Sequence, residues 1–118
     1  MTKIRVAMLT GQSLLVQGMA SRLLSQPDKF EVFVLHADGG DCRPSLREAK
    51  PNVIVMDTSD PDIRGFCLLA DMIWEMPEAT FLLMNSESSH LQVISSQRFP
   101  ISDSQALLDE MMAPTIRQ

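Results

Sequence analysis

The amino-acid sequence predicts a single α/β domain in which a parallel β-sheet is covered by helices. Short apolar segments of strand length alternate with amphipathic segments of helix length along the chain, a pattern typical of parallel sheets with helical crossovers. The length of 118 residues suits one hydrophobic core. Hydrophobic residues make up 45% of the chain and charged residues 21%, so we expect a folded domain rather than a disordered one.

The first half of the chain contains three predicted strands and two predicted helices. A short apolar segment from Lys3 to Leu9 predicts the first strand, and Ser13 is placed to cap the helix that follows. The predicted apolar stripe of that helix consists of Leu14, Leu15, Gly18, Met19 and Leu23. A second strand is expected from Phe30 to Leu35, a short helix from about Pro44 to Lys50, and a buried third strand from Val53 to Met56.

The second half is predicted to continue the alternation. A helix is expected from Gly65 to Trp74, followed by a fourth strand from Phe81 to Met84. A shortened helix near Leu91 to Ile94 and a fifth strand around Phe99 to Ile101 are expected next. Asp103 is then placed to cap a last helix. Its predicted inward-facing residues are Leu107, Leu108, Met111 and Met112. We expect the domain to cover residues 1–113, with 114–118 as a tail or the start of a linker.

Charge and hydropathy exclude several classes of function. The net charge of −5 gives the chain no electrostatic attraction for DNA or for anionic lipid, so any DNA contact would need a separate domain. No apolar segment approaches the length of about 20 residues that a membrane span needs. The sequence enters a predicted strand directly, with no signal peptide ahead of it, and we expect a cytoplasmic protein.

The cysteines and histidines do not indicate a metal site. Cys42 and Cys67 lack the spacing of redox or zinc motifs, and we expect two reduced thiols. His36 and His90 have no second histidine or cysteine at ligand spacing. The sequence therefore predicts neither a metal nor a cofactor.

Polar residues follow three of the predicted strands. Thr10 and Gly11 come after the first strand, Asp57 after the third, and Asn85 and Ser86 after the fourth. In parallel sheets the functional crevice lies at the carboxyl ends of the strands, so we expect these residues to form the candidate site.

The pattern around Asp57 resembles the receiver domain of two-component response regulators. An aspartate ends a buried strand, Pro61 follows four residues later, and Gly65 follows after four more. The first strand and helix resemble those of receivers attached to LuxR-type DNA-binding domains, and Lys50 to Val53 matches their entry into the third strand. The likeness extends from Lys3 to Met84. It implies a doubly wound, five-stranded parallel sheet of the flavodoxin and CheY type, here with a shortened fourth-helix region.

The sequence departs from the family where the family's chemistry takes place. Receivers hold Mg²⁺ with an acidic pair after the first strand, and those positions fall here on Thr10 and Gly11. The family's hydroxyl switch position falls on Asn85, with Ser86 one place late. The family's lysine after the fifth strand has no counterpart, because the chain has no lysine after Lys50. Phosphoryl transfer depends on positioning and charge neutralisation, so Asp57 is expected to stay unmodified.

Three functions remain in competition. The leading hypothesis is a signalling pseudo-receiver, not an enzyme and without catalytic residues, which acts by protein–protein contact or dimerisation as the N-terminal domain of a transcriptional regulator. A second is a sensor that binds a small anion or nucleotide in the crevice at Thr10 and Gly11, where backbone N–H groups precede a helix. A third is an atypical phosphoacceptor that uses Asp57.

A candidate interface follows from the shortened region after Asn85. With less scaffold to cover them, apolar residues there should stay exposed beside the last helix and form a contact surface for a second copy or a protein partner. The expected members are Leu91, Val93, Ile94, Leu108 and Met112. The alternative is that these residues fold back into the core.

Overall fold

The computed structural model describes residues 2–37, 41–64, 66, 68–96 and 103–116, and the side chains of the last helix through Met112. Within these residues it contains five strands and five helices. The strands are β1 (Ile4–Thr10), β2 (Phe30–His36), β3 (Val53–Asp57), β4 (Thr80–Asn85) and β5 (His90–Ser95). The helices are α1 (Leu14–Leu24), α2 (Arg43–Ala49), α3 (Pro61–Arg64), α4 (Leu69–Glu75) and α5 (Ser104–Ile116).

The five strands form one mostly parallel sheet in the order β2-β1-β3-β4-β5. The pairs β1–β2, β1–β3 and β3–β4 are parallel, as predicted. The pair β4–β5 is antiparallel, so the expectation of a wholly parallel sheet is wrong at this edge. The α/β class and the five-stranded sheet are confirmed.

The antiparallel edge is a hairpin with a four-residue turn. Asn85 pairs with His90, and the chain reverses over 86–89, where Ser89 has a φ of 58°. The shortened helix expected near Leu91 to Ile94 is therefore a strand. The sequence is compatible with this, since Leu91 and Val93 stand on either side of polar Gln92 at the spacing of two that places side chains on one face of a strand. The other expected strand, Phe99 to Ile101, lies outside the described residues.

Alternate side chains of the strands enter two separate hydrophobic clusters. In β1, Ala7 and Leu9 belong to one cluster, whereas Val6 and Met8 belong to the other. The first cluster includes buried residues of α2, α3 and α4, which are Leu46, Ile63 and Met72. The second includes Val16 and Ala20 of α1. The sheet thus has apolar side chains on both faces, as its apolar strands predict.

Helix α1 buries a different stripe from the one expected. Ser13 caps it as predicted, with its side-chain oxygen accepting a hydrogen bond from the Val16 backbone N–H. Leu14 and Leu15, however, are exposed. Met19 and Leu23 pack on the sheet as predicted, together with Val16 and Ala20, which lie at helical spacing from them and which the predicted stripe omitted.

The region after β3 contains two short helices in place of the one predicted from Gly65 to Trp74. α3 ends at Arg64, α4 begins at Leu69, and Gly65 lies outside the described residues. Of the four residues whose spacing predicts an inward face here, Phe66, Leu69 and Ile73 pack against the first cluster, whereas Ala70 is exposed.

Helix α5 differs most from expectation. None of its described side chains through Met112 is buried, and the four residues predicted to face inward, Leu107, Leu108, Met111 and Met112, are all exposed. α5 packs extensively against no other described helix or strand. The helix ends at Ile116.

Cys42 corrects a further expectation. Its side chain is buried in the first cluster and is disulfide-bonded rather than a reduced thiol. Cys67 lies outside the described residues. Among the described helices, none is long and apolar enough to cross a membrane.

Candidate functional site

Asp57 ends the central strand β3 and is buried in a cage of serines. Only 1% of its surface is exposed. One carboxylate oxygen, Oδ2, accepts a hydrogen bond from the Ser13 hydroxyl at 2.7 Å. The other, Oδ1, accepts from the Ser59 backbone N–H at 2.9 Å, the Ser59 hydroxyl at 2.6 Å and the Ser86 backbone N–H at 3.4 Å. We call Ser13, Ser59 and Ser86 the serine cage.

The hydroxyl protons of the cage can all be assigned without conflict. Ser13 and Ser59 each donate a proton to Asp57, so the contact of 3.0 Å between the hydroxyls of Ser59 and Ser86 is donated by Ser86. The Ser13 oxygen also accepts the backbone N–H of Val16 at the start of α1. The cage therefore joins the ends of β3 and β4 to the first turn of α1.

The cage determines the charge state of Asp57. Burial of the carboxylate opposes ionisation, but hydrogen bonds from Ser59, Ser86 and Ser13 outweigh it and hold the pKa of Asp57 well below its ordinary value. Asp57 is consequently a carboxylate at neutral pH whose charge is solvated by neutral donors.

A second buried acid, Asp60, lies between β3 and α3 and binds the loop before α1. Its Oδ2 accepts the backbone N–H groups of Gln12 at 2.7 Å and Ser13 at 2.9 Å. Its Oδ1 accepts the backbone N–H of Asp62 at 3.0 Å, at the first turn of α3. An anion at a helix N-terminus is favoured by the helix dipole and by the free N–H groups there. In this chain the anion is a side chain of the protein itself.

Gly11 allows the carboxylate of Asp60 to come this close. A Cβ atom at position 11 would lie 2.7 Å from Asp60 Oδ2 and 2.9 Å from Asp62 Cβ. Any larger residue would have to displace one of these groups. Because glycine has no side chain, this loop can pack closely against Asp60 and Asp62, and there is no room for a Cβ atom at position 11.

The four residues predicted to line the pocket have separate roles. Ser86 reaches Asp57 through its backbone N–H, as described above. The Thr10 hydroxyl instead contacts His36 Nδ1 at 3.0 Å, towards β2. Asn85 Oδ1 accepts the backbone N–H groups of Glu87 at 3.1 Å and Ser88 at 3.2 Å and so stabilises the hairpin turn. Gly11 packs against Asp60.

Two of the residues that hold Asp57 were not recognised from the sequence as partners of this acid. Ser59 stands two positions after Asp57, the spacing at which an aspartate side chain accepts from its own backbone, and this local signal could have identified it. Ser13 was identified only as a helix cap, and its bond to Asp57 connects residues far apart in the sequence. Asp60 accepts the backbone N–H of Asp62 beside Pro61, as residues of this type do in turns, and it also binds the loop before α1.

The residues of the candidate interface divide between β5 and α5. Leu91 and Val93 pair with Met84 and Leu82, which belong to the second cluster, so they lie on the α1 face of the sheet, and both are exposed. Ile94 pairs with Phe81 on the opposite face and is partly buried against the first cluster. The two α5 members, Leu108 and Met112, are exposed. α5 does not pack extensively against β5, so the structure does not bring the two groups into one described surface.

Among the described residues, no group of three or more histidine, cysteine, aspartate or glutamate side chains is arranged to hold a metal ion. Comparison of the chain with protein-family models, curated proteins and solved structures returns no match. The resemblance to receiver domains therefore depends on the residues and spacings given above and stays a hypothesis.

Proposed function

We propose that the chain is a receiver-like signalling domain that acts by protein–protein contact without phosphorylation of Asp57. Its helices and sheet would form the doubly wound, flavodoxin-like arrangement implied by the resemblance, in a cytoplasmic regulator of transcription. Contact with DNA would then belong to a separate domain, because this one carries a net charge of −5. The domain itself performs no catalytic turnover.

The main support for the proposal is that both carboxylate oxygens of Asp57 already accept hydrogen bonds from within the protein. A phosphoacceptor attacks phosphorus with a carboxylate oxygen that solvent and substrate can reach, while a cation neutralises the phosphoryl oxygens. Here the side chain is 1% exposed, and both oxygens accept hydrogen bonds from the serine cage. The positions that hold the metal in receivers carry Thr10, whose hydroxyl contacts His36, and Gly11, which has no side chain.

The same geometry weighs against the two alternatives. An anion sensor would need the backbone N–H groups of Gln12 and Ser13, which already donate to Asp60. An atypical phosphoacceptor would need the cage to open and Asp57 to lose the donors that hold its charge. Both alternatives require an internal contact to break before a ligand binds.

Incubation with acetyl phosphate and Mg²⁺ tests the proposal. We expect intact-mass spectra to show no phosphoryl adduct under conditions in which an ordinary receiver, run in parallel, is fully labelled. We also expect the sedimentation coefficient to be the same with and without acetyl phosphate. A stoichiometric adduct on the parent chain, absent from Asp57→Asn, would overturn the proposal.

A further inference from the structure

We infer that the protein partner is a second copy of this chain, bound through β5 across a two-fold axis so that the sheets of both copies become one. This inference rests on the proposed function, because it names the partner in the contact proposed above. It adds the surface, the geometry and the symmetry of that contact.

The first reason is that β5 lies at the edge of the sheet. It is last in the strand order, and its described pairing is with β4 alone. In the described part of the chain, the N–H and C=O groups on its outer side therefore face no other strand. An edge of this kind is a template for another extended strand.

The second reason is that β5 carries neither the charged side chains nor the prolines with which proteins commonly protect an edge. Its six residues, His90 to Ser95, include no lysine, arginine, aspartate, glutamate or proline. The opposite edge, β2, does carry a charge at Glu31, which forms an ion pair with Arg5 at 2.8 Å. Charged side chains and prolines on an edge strand disfavour pairing between molecules. Of the two edge strands, β5 is therefore the one better suited to pair with a strand of another molecule.

The third reason identifies the occupant as a second copy. Antiparallel pairing about a two-fold axis sets each strand against itself, which would oppose like charges if the strand carried any. The copies each carry a net charge of −5, so they repel elsewhere on their surfaces, whereas the segment His90 to Ser95 contains no acidic residue, lysine or arginine. Side chains of Leu91 and Val93 are 58% and 61% exposed on one face, and the partner would supply the same two residues to cover them.

Sedimentation of Val93→Lys beside the parent chain is the first test. We expect the parent to show a concentration-dependent dimer and the variant to raise the dimer dissociation constant by at least about tenfold, because two ammonium groups would meet near the axis. Leu24→Lys is the matched control, since Leu24 is 55% exposed on α1 and should leave dimerisation unchanged. Urea unfolding of both variants verifies that each monomer is folded.

Hydrogen exchange on the parent chain is the second test and needs no substitution. Pairing through β5 should slow exchange of the amides in the segment 90–95 as concentration rises through the dimer range, while the amides of β2 keep their rate. A dimer without this concentration dependence would show that the copies meet elsewhere and would overturn the inference. A parent that sediments as a monomer at millimolar concentration would overturn it as well.

These outcomes are separable from the test of the proposed function. A dimer that forms elsewhere, or no dimer at all, leaves the absence of phosphorylation at Asp57 untouched. A phosphoryl adduct on Asp57 would overturn the proposed function while leaving the edge contact measurable by exchange.

Discussion

A carboxylate that is withdrawn from water keeps its charge only if hydrogen-bond donors replace the solvent. At Asp57 the donors are the hydroxyl and backbone N–H groups of the serine cage, with no cation among them. Neutral donors stabilise the carboxylate without attracting a phosphoryl group. Asp57 thus connects β3, β4 and α1 through hydrogen bonds.

Replacing Asp57 by asparagine should change stability and its pH dependence. An amide cannot accept bonds through its NH₂ group, so donors of the cage lose their partner, and we expect a loss of about 1–3 kcal/mol at pH 7. The pKa of Asp57 is lower in the folded protein than in the unfolded chain. The contribution of the ionised Asp57 carboxylate to the free energy of unfolding is therefore complete above about pH 4 and is lost as the pH falls below that. The stability of the parent should decline more steeply than that of the variant between about pH 4 and pH 2.

Urea unfolding across this pH range measures both effects. Asp28→Asn is the control, because Asp28 is exposed and should change little. Parallel curves for the parent and Asp57→Asn below pH 4 would contradict the assigned role of Asp57.

The two glycines of the α1 region should respond to alanine in opposite directions. At Gly11 the added Cβ would lie 2.7 Å from Asp60 Oδ2, and we expect a loss of about 1–3 kcal/mol through overpacking. At Gly18, inside α1, the Cβ would meet nothing within 4 Å, and we expect a gain of about 0.5–1 kcal/mol from the better helix former. Chemical denaturation of both variants measures these changes in the free energy of unfolding. If Gly11→Ala left it unchanged, the loop would be able to move far enough to accommodate the added Cβ atom.

Among the elements, β3 lies at the centre of the sheet and should be the least tolerant of cavities. Ile54 is fully buried in the first cluster, and Ile54→Ala should cost about 2–5 kcal/mol through the cavity that it leaves. Ile4 in β1 is 46% exposed, so Ile4→Ala should cost clearly less in the same urea titration. If Ile54→Ala shifted stability by less than about half a kcal/mol, β3 would not be the central strand.

The elements that the sequence predicted well are those whose hydrophobic pattern is compatible with only one type of secondary structure. A continuous apolar segment such as Val53 to Met56 is stable only as a strand covered on both faces, and Ile54, Val55 and Met56 are indeed buried. The segment after Asn85 was ambiguous, because six residues fit either a shortened helix or a strand. The prediction of a shortened helix overlooked two signs of the hairpin, which are the spacing of two between Leu91 and Val93 and the turn-forming sequence Asn85 to Ser89.

For the molecule as a whole, the sequence located the candidate site but not its internal contacts. The carboxyl ends of parallel strands meet at one edge whatever the side chains are, so Thr10, Asp57 and Ser86 could be placed there from topology alone. Which hydroxyl faces Asp57 depends on the rotation of α1 and on the loop carrying Asp60, and these follow from packing across the whole fold. The exposure of Leu108 and Met112 was expected for the candidate interface, but that of Leu107 and Met111 was not, since the apolar stripe of α5 is equally typical of a helix packed on the sheet.

The hairpin of β4 and β5 also affects the order in which the sheet can assemble. Its strands are separated by a four-residue turn, whereas the pairs β1–β3 and β3–β4 require the chain to cross over between parallel strands. A hairpin forms in about 1–10 μs, and longer loops close more slowly and at a greater loss of entropy. We therefore expect β5 to be extended and uncharged while the parallel part of the sheet is still incomplete. An early strand of this kind can capture another chain during synthesis, so the edge that we propose as the dimer contact should also make refolding sensitive to concentration.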